Sequence, residues 1–351
     1  MKYKFEEIAI NSTTKKKPVD SDKFHYIGLE HLDSQSLQVV RFGSEVAPKG
    51  EKLIMKKGDV LFGKRRAYQK KVGIAPFDGI FSAHGMVLRP NEKIVSKSFF
   101  PFFISSDYFL DKAISISVGS LSPTINWSDL KVLEFDLPSL EEQERLAKVL
   151  WKIEEVKNQI LFSTENYNTY FERNFNELIE RDVIYKPIND IAFFYKKSKL
   201  PASSGLDSGE YIFFTSGLKK SFVNDFMLND EGIIINDGGS ALIRYFKGKF
   251  SYSDHVICIK SRDAEVLTKY LFYILKSKEN EIDKDLFKGT GLRNIDKKAF
   301  KTFEIPVISK ERQIEIIQKL EQFEKIKKNL KEEKNKNSLL QKQIIKEAFN
   351  V

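Results

Sequence analysis

Residues 139–160 read SLEEQERLAKVLWKIEEVKNQI, and residues 309–330 read SKERQIEIIQKLEQFEKIKKNL. Shifted by 170 residues the two register without a gap: Ser139 falls on Ser309, Glu141 on Glu311 and Gln143 on Gln313. Leu146, Leu150, Ile153, Val156 and Ile160 then fall on Ile316, Leu320, Phe323, Ile326 and Leu330. Steps of four, three, three and four residues place each apolar set on one helical face. Each serine suits an N-cap, and the glutamates behind it suit the positive end of a helix dipole. Amphipathic helices resemble one another by chance, but this many matches in one register, with matched caps, argue for duplication.

The repeat extends upstream. At the same offset Gly119 meets Gly289, Ile125 meets Ile295, Lys131 meets Lys301 and Glu134 meets Glu304. Phe81, Ser82 and His84 pair with Tyr252, Ser253 and His255 at 171. Ile8, Ala9 and Pro18 answer Ile191, Ala192 and Pro201 at 183. An offset that drifts is what loops of unequal length produce. The order is therefore globular unit (1–138), long helix (139–180), globular unit (181–308), long helix (309–351). The first helix is expected to run to about Glu180, because Tyr167, Tyr170, Phe171, Phe175 and Leu178 continue its stripe. The second is expected to reach about Ala348, with a weakly apolar middle (KEEKNKNS) that invites fraying or a bend.

A chain of 351 residues holds two ordinary cores plus extended elements. Its 30% charged and 13% aromatic residues mark a folded protein. The single cysteine, Cys258, excludes an internal disulfide, and its apolar alternation (HVICIK) reads as a buried strand. The four histidines form no ligand spacing with it, so no metal site is expected. The N-terminus MKYKFEEIAI lacks a signal-peptide core and no run reaches membrane-span length, which predicts a cytosolic protein.

The net charge of +9 is uneven: +5 over 1–138, −4 over 139–180, +4 over 181–308 and +4 over 309–351. Two basic units suggest a polyanionic partner. Helices of opposite charge with similar apolar stripes should pair with each other, giving an antiparallel coiled coil.

Each unit reads as α+β. In the first, HYIGLEHL, Asp59–Phe62, Val72–Ala75 and GIFSAHGMVLRP are predicted strands, and the aromatic stripe of FFPFFISSDYFLDKAIS a buried helix face. In the second, EYIFFTS, GIIIND and KFSYSDHVICIK read as strands and DAEVLTKYLFYILKSK as a helix. Basic loops interrupt both: Lys15, Lys16 and Lys17; then Lys64, Arg65, Arg66, Gln69, Lys70 and Lys71. The second unit offers Lys196, Lys197 and Lys199; Arg244, Lys247 and Lys249; and Arg293. Lysines near turns suit phosphates, while arginine beside glutamine suits bidentate contacts to guanine and adenine edges. One such loop is often only a solvated surface; comparable loops in both units favour nucleic acid. His84 and His255 occupy matched strand positions, structural or DNA-facing.

No catalytic constellation survives inspection. The GTG at Gly289–Gly291 lacks the spacing of a phosphate loop. The triplets Glu155–Lys157 and Glu332–Lys334 resemble part of a nuclease site but lie in charge-rich helix, where a solvated face or ion-pair ladder is the better reading. Neither a glycine-rich cofactor loop nor an amino-methyltransferase motif is found.

Across nearly its whole length the sequence resembles the specificity subunit of type I restriction–modification systems. The carriers are GDVLFGKR, GIFSAHGMVLRP, GSLSPTINWSDLKVLEFDLPSLEEQERLAKVL and GTGLRNIDKKAFKTFEIPVISKERQ. The resemblance implies two target-recognition domains, each reading half of a split double-stranded DNA site, with two helical spacers between them. It also implies docking of two methyltransferase subunits, which carry S-adenosylmethionine while this chain carries no cofactor, and of restriction motor-nuclease subunits. Spacer packing would fall to Leu146, Leu150, Ile153, Ile160, Ile316, Leu320, Phe323 and Leu330. Ile233–Asp237 departs from the family by replacing an arginine-containing stretch. Two rivals remain: a stand-alone DNA-modifying enzyme with a disguised site, and a coiled-coil scaffold that binds only protein.

Overall fold

The computed structural model describes residues 1–34, 36–179 and 183–349, with side chains described outside 167–178. The stripe read from Tyr167 to Leu178 therefore lies outside the described side chains. The chain forms two compact units, residues 1–163 with 330–351, and residues 164–329. Each is built of sheet and helix, so the α+β expectation holds for both.

In the first unit two four-stranded sheets form. One runs Ala9–Ser12, Met86–Pro90, Val60–Phe62, Val72–Ile74, all antiparallel. The other runs Lys15–Lys16, Lys52–Met55, Gly79–Phe81, Tyr26–Ile27, its last pair parallel. Phenylalanines drive the core: Phe5, Phe62, Phe99, Phe100, Phe102, Phe103, Phe109 and Phe135 are fully buried in one cluster. The predicted aromatic helix is thus core, but it breaks into Phe100–Ser105 and Asp107–Ser115. Ser106 causes the break, capping the second piece by accepting from the Phe109 amide at 3.1 Å. HYIGLEHL supplies only the strand Tyr26–Ile27. After it Gly28 donates its amide to His31 Nδ1 at 2.9 Å, turning the chain into a short 3-10 helix. Alternation had suggested a longer strand, and a local side-chain bond overrode it.

The second unit has a six-stranded sheet in the order Ala192–Phe194, Val256–Ser261, Leu228–Asn236, Ile243–Tyr252, Tyr211–Phe214, Ser221–Val223. Ile233, Ile235 and Ile259 on one face pack against Tyr270, Leu271 and Ile274 of the helix Thr268–Ser277. Cys258 faces the opposite side, buried with Phe250 and Tyr252, and burial pushes its thiol up to about 12. It is a strand residue, as its alternation predicts.

The long helices span Leu140–Ile179 and Lys310–Ala348, and KEEKNKNS continues the second without a break. Leu146 and Leu150 belong to the core of the first unit, with Ile345 and Phe349. Ile316 and Leu320 belong to the core of the second. Ile153 is buried, while Ile160, Phe323 and Leu330 are half-buried. The start of each stripe therefore packs on the globular part of its own unit. Among the described residues no helix is long and apolar enough to cross a membrane.

Candidate nucleic-acid interface

The interior strand Val60–Phe62 delivers Gly63 and then Lys64, Arg65 and Arg66 beyond its C-terminal end. There the backbone docks on residues 123–125. Ile125 donates to Lys64 O at 3.0 Å and Arg66 donates to Pro123 O at 2.7 Å, with a bridge between Arg65 and Thr124. Arg66 and Lys70 take left-handed conformations, φ 53° and 51°, the two non-glycine cases among the described residues. That geometry costs about 1–2 kcal/mol per residue and persists only where the surroundings impose it. Buried Ala67 anchors the turn between them, and Arg65, Arg66 and Tyr68 are left exposed. Arg65 Nε donates to Ser122 Oγ at 2.9 Å, and its Nη1 lies 3.3 Å from His84 Nε2. Desolvation, then the charges of Arg65, Lys64 and Lys52, lower the His84 pKa. A neutral imidazole there can accept the guanidinium N–H.

Other lysines of the loop are engaged within the protein. Lys70 Nζ lies 2.7 Å from both Asp107 and Asp111. Burial opposes its charge, but the hydrogen bonds to these aspartates outweigh it and its pKa is raised. Lys71 Nζ donates to Leu29 O at 2.7 Å. Lys16 pairs with Asp22 at 2.9 Å and Lys15 with Glu51 at 3.9 Å, while Lys17 is exposed. Gln69 and Lys64 are half-buried. Lys70 and Lys71 fasten the loop, whereas their position in the sequence had suggested phosphates. The acids that hold Lys70 come from a helix some 40 residues away, which no local reading reveals.

The second unit repeats this backbone cradle with different chemistry. Ile295 donates to Asp237 O at 3.0 Å and Gly239 donates to Arg293 O at 2.8 Å, with a bridge between Gly238 and Asn294. Lys64, Arg65 and Arg66 thus correspond to Asp237, Gly238 and Gly239. The carbonyls of His84 and His255 also accept from the two cradles, one position apart: from Arg65 N at 3.2 Å, and from the N–H of Asp237, the counterpart of Lys64, at 2.9 Å. Asp237 pairs with Lys297 at 2.7 Å. Arg244 reaches Thr215 O at 2.6 Å and Asn236 Oδ1 at 3.0 Å, over the Phe214 ring. Burial lowers its pKa to about 10. Arg293 holds Asp283 at 3.0 Å and the carbonyl of Phe287. Both arginines, read as DNA contacts, brace loops in this structure. Lys196, Lys197, Lys199, Lys247 and Lys249 are exposed, the last over the Phe226 ring at 4.8 Å.

The triplet Glu155–Lys157 is not a site: Lys157 is buried and bonded at 2.8 Å to both Glu154 and Gln341. Ser122 was not singled out from the sequence. The matched glycines 119 and 289 were the available signal for the segment that carries Ser122.

Two duplicated α+β units, with one backbone cradle and different side chains on it, define a tandem recognition protein. The model of the type I restriction modification DNA specificity domain matches twice, at residues 5–166 and 180–341. The chain belongs to that family. It is 23% identical over 357 aligned positions to a putative type I restriction enzyme MjaX specificity subunit of Methanocaldococcus jannaschii, covering 88% of this chain and 82% of that one. It is 26% identical over 150 positions to the EcoDI specificity subunit of Escherichia coli, covering 41% of this chain and 32% of that one. The crystal structure of the S subunit of a type I system from M. genitalium shares the fold: TM-score 0.67 at 15% identity, over 99% of this chain and 96% of that one.

Proposed function

We propose that the chain reads a bipartite DNA site, the first unit contacting one half and the second unit the other. One observation carries this: the same backbone cradle holds Lys64, Arg65 and Arg66 in one unit and Asp237, Gly238 and Gly239 in the other. A scaffold has no use for conserving the frame while changing the reading chemistry; a reader of two different half-sites does. The chain itself is non-catalytic and acts in the cytoplasm. Two methyltransferase subunits, carrying S-adenosylmethionine, dock on it, and motor-nuclease subunits join them. The long helices, 40 and 39 residues or about 60 Å each, serve as an antiparallel coiled-coil spacer. In support, Gln341 meets Lys157, whereas Ile345 and Phe349 share a core with Leu146 and Leu150. Numbers thus rise along one helix as they fall along the other. The test is methylome sequencing of a host with and without this gene. A split methylated motif that disappears on deletion is the expected result; an unchanged methylome refutes the reading.

A further inference from the structure

Each unit carries a five-residue loop beside its cradle. In the first, Val118 and Thr124 exchange backbone hydrogen bonds of 3.0 and 2.9 Å and enclose GSLSP, 119–123. In the second, Phe287–Lys288 pairs with Asn294–Ile295 and encloses GTGLR, 289–293. Both loops open on a glycine of positive φ, 109° at Gly119 and 137° at Gly289. Both present a bare leucine: Leu121 is 93% exposed and Leu292 is 75% exposed. A single exposed leucine is ordinary on a protein surface. Two at neighbouring positions of matched five-residue loops, Leu121 opposite Gly291 and Leu292 opposite Ser122, in units whose other loops have diverged, are not.

The surroundings indicate the partner. Residues 117–126 and 287–295 contain no acid, and the second stretch carries Lys288 and Arg293, which pair with Asp296 and Asp283 from outside it. The first loop is joined to the basic loop through Arg65–Ser122 and Arg66–Pro123. An apolar tip beside basic side chains, Arg65 and Arg66 in the first unit and Lys288 in the second, fits a groove of duplex DNA, where phosphates flank apolar base faces and thymine methyls. Being common to both units while the cradle residues differ, the leucines serve what the two half-sites share. We infer that Leu121 and Leu292 are apolar fingers that enter the DNA groove independently of sequence and partly unstack a base step, leaving discrimination to the cradle. The inference rests on the DNA-reading function proposed above.

The experiment uses the full chain, alone and with its methyltransferase partner, and measures anisotropy on cognate and unrelated duplexes. Leu121→Ala and Leu292→Ala are each expected to weaken binding to both duplexes about tenfold, without changing base preference. Leu339→Ala, also exposed but on the second long helix, should bind like wild type. 2-Aminopurine stepped through each half-site should brighten with wild type and not with the matching variant. Equal binding by wild type and finger variants, with no 2-aminopurine signal, overturns the inference. So do variants that keep DNA affinity but lose the partner protein, which would place the leucines on a protein interface. A wild-type chain that binds no duplex at any salt fails the proposed function instead, and that result is read before any variant is made.

Discussion

Gln143 and Gln313 make the same three hydrogen bonds in their two units. The Gln143 amide accepts from Ser96 N at 2.8 Å and donates to Ile94 O and Pro138 O. Gln313 accepts from Leu267 N at 2.9 Å and donates to Glu265 O and Ile308 O. Both are fully buried. Each glutamine ties the first turn of its long helix to the loop ahead of the unit's main helix, and this bond explains why the repeat is strongest there.

Replacing either glutamine by leucine keeps the volume but strands one buried N–H and two carbonyls. Each variant should lose on the order of 3 kcal/mol of stability. Urea titration checks the size, and hydrogen exchange should show the loss confined to the mutated unit. A loss under about 0.5 kcal/mol would mean that water replaces the amide.

Lys70 should not behave as a phosphate contact. Its charge is already met by Asp107 and Asp111, so Lys70→Ala should leave the salt dependence of DNA binding nearly unchanged. Lys64→Ala should lower the slope of log K against log salt by about 0.9. Asp107→Asn, by freeing cationic charge, should tighten binding to all sequences. Affinity measured between low and moderate salt separates the three; a Lys70→Ala slope as shallow as that of Lys64→Ala would contradict this placement.

The architecture was legible because duplication supplied an internal comparison. Helix periodicity, Ser139 and Ser309, and the matched glycines located the repeat and most strands. What stayed hidden was set by distant partners: the Asp107–Lys70 pair, the bond from Arg244 to Thr215 O, and the bonding of Gln143 and Gln313, visible only as an alignment. Basic character alone does not distinguish an arginine that braces a loop from one that faces solvent. Of the residues read as contacts, Arg65, Arg66 and the exposed lysines keep an outward position, while Arg244 and Arg293 hold backbone carbonyls.

The buried pair Glu154 and Lys157, with the half-buried Gln341, makes the first unit's helix contact polar. Removing one member by Lys157→Met leaves a buried carboxylate and should cost about 3–5 kcal/mol. Replacing all three (Glu154→Leu, Lys157→Met, Gln341→Leu) removes the desolvation cost together with the bonds and should be neutral or stabilising by about 1–4 kcal/mol. Denaturant midpoints decide it: a triple variant as weak as the single one would show that packing, not charge burial, sets the energy.

His84 gives the interface a pH dependence. Desolvation and the Arg65, Lys64 and Lys52 charges hold its pKa below the ordinary 6.5 in the free protein. The folded state therefore resists protonation. The stability that goes with this is complete above pH 6.5 and is lost as pH falls from there toward the depressed value. Bound phosphate offsets the neighbouring cations and raises the pKa, so binding takes up a proton and affinity should increase as pH falls below 6.5. His84→Asn should flatten that increase. A wild-type profile that is already flat between pH 5 and 7 would remove His84 from the interface.

Specificity should change one half-site at a time. Arg65 and Arg66 are exposed on a strained turn that Ser122 and Pro123 hold in place, so a base contact there is made without further ordering of the loop. Loss of a bidentate guanine contact costs about 1–3 kcal/mol and relaxes one base position. The equivalent station in the second unit carries Asp237, Gly238 and Gly239, with Asp237 committed to Lys297, and has no guanidinium to compensate. Arg65→Ala and Arg66→Ala should therefore relax preference in the first half-site and leave the second untouched, whereas Gly239→Ala, forced to φ 84°, should disturb only the second. A methylation assay on a library randomised in both halves reads all three variants together. Arginine variants that shift both halves, or neither, would place the reading residues elsewhere on the units.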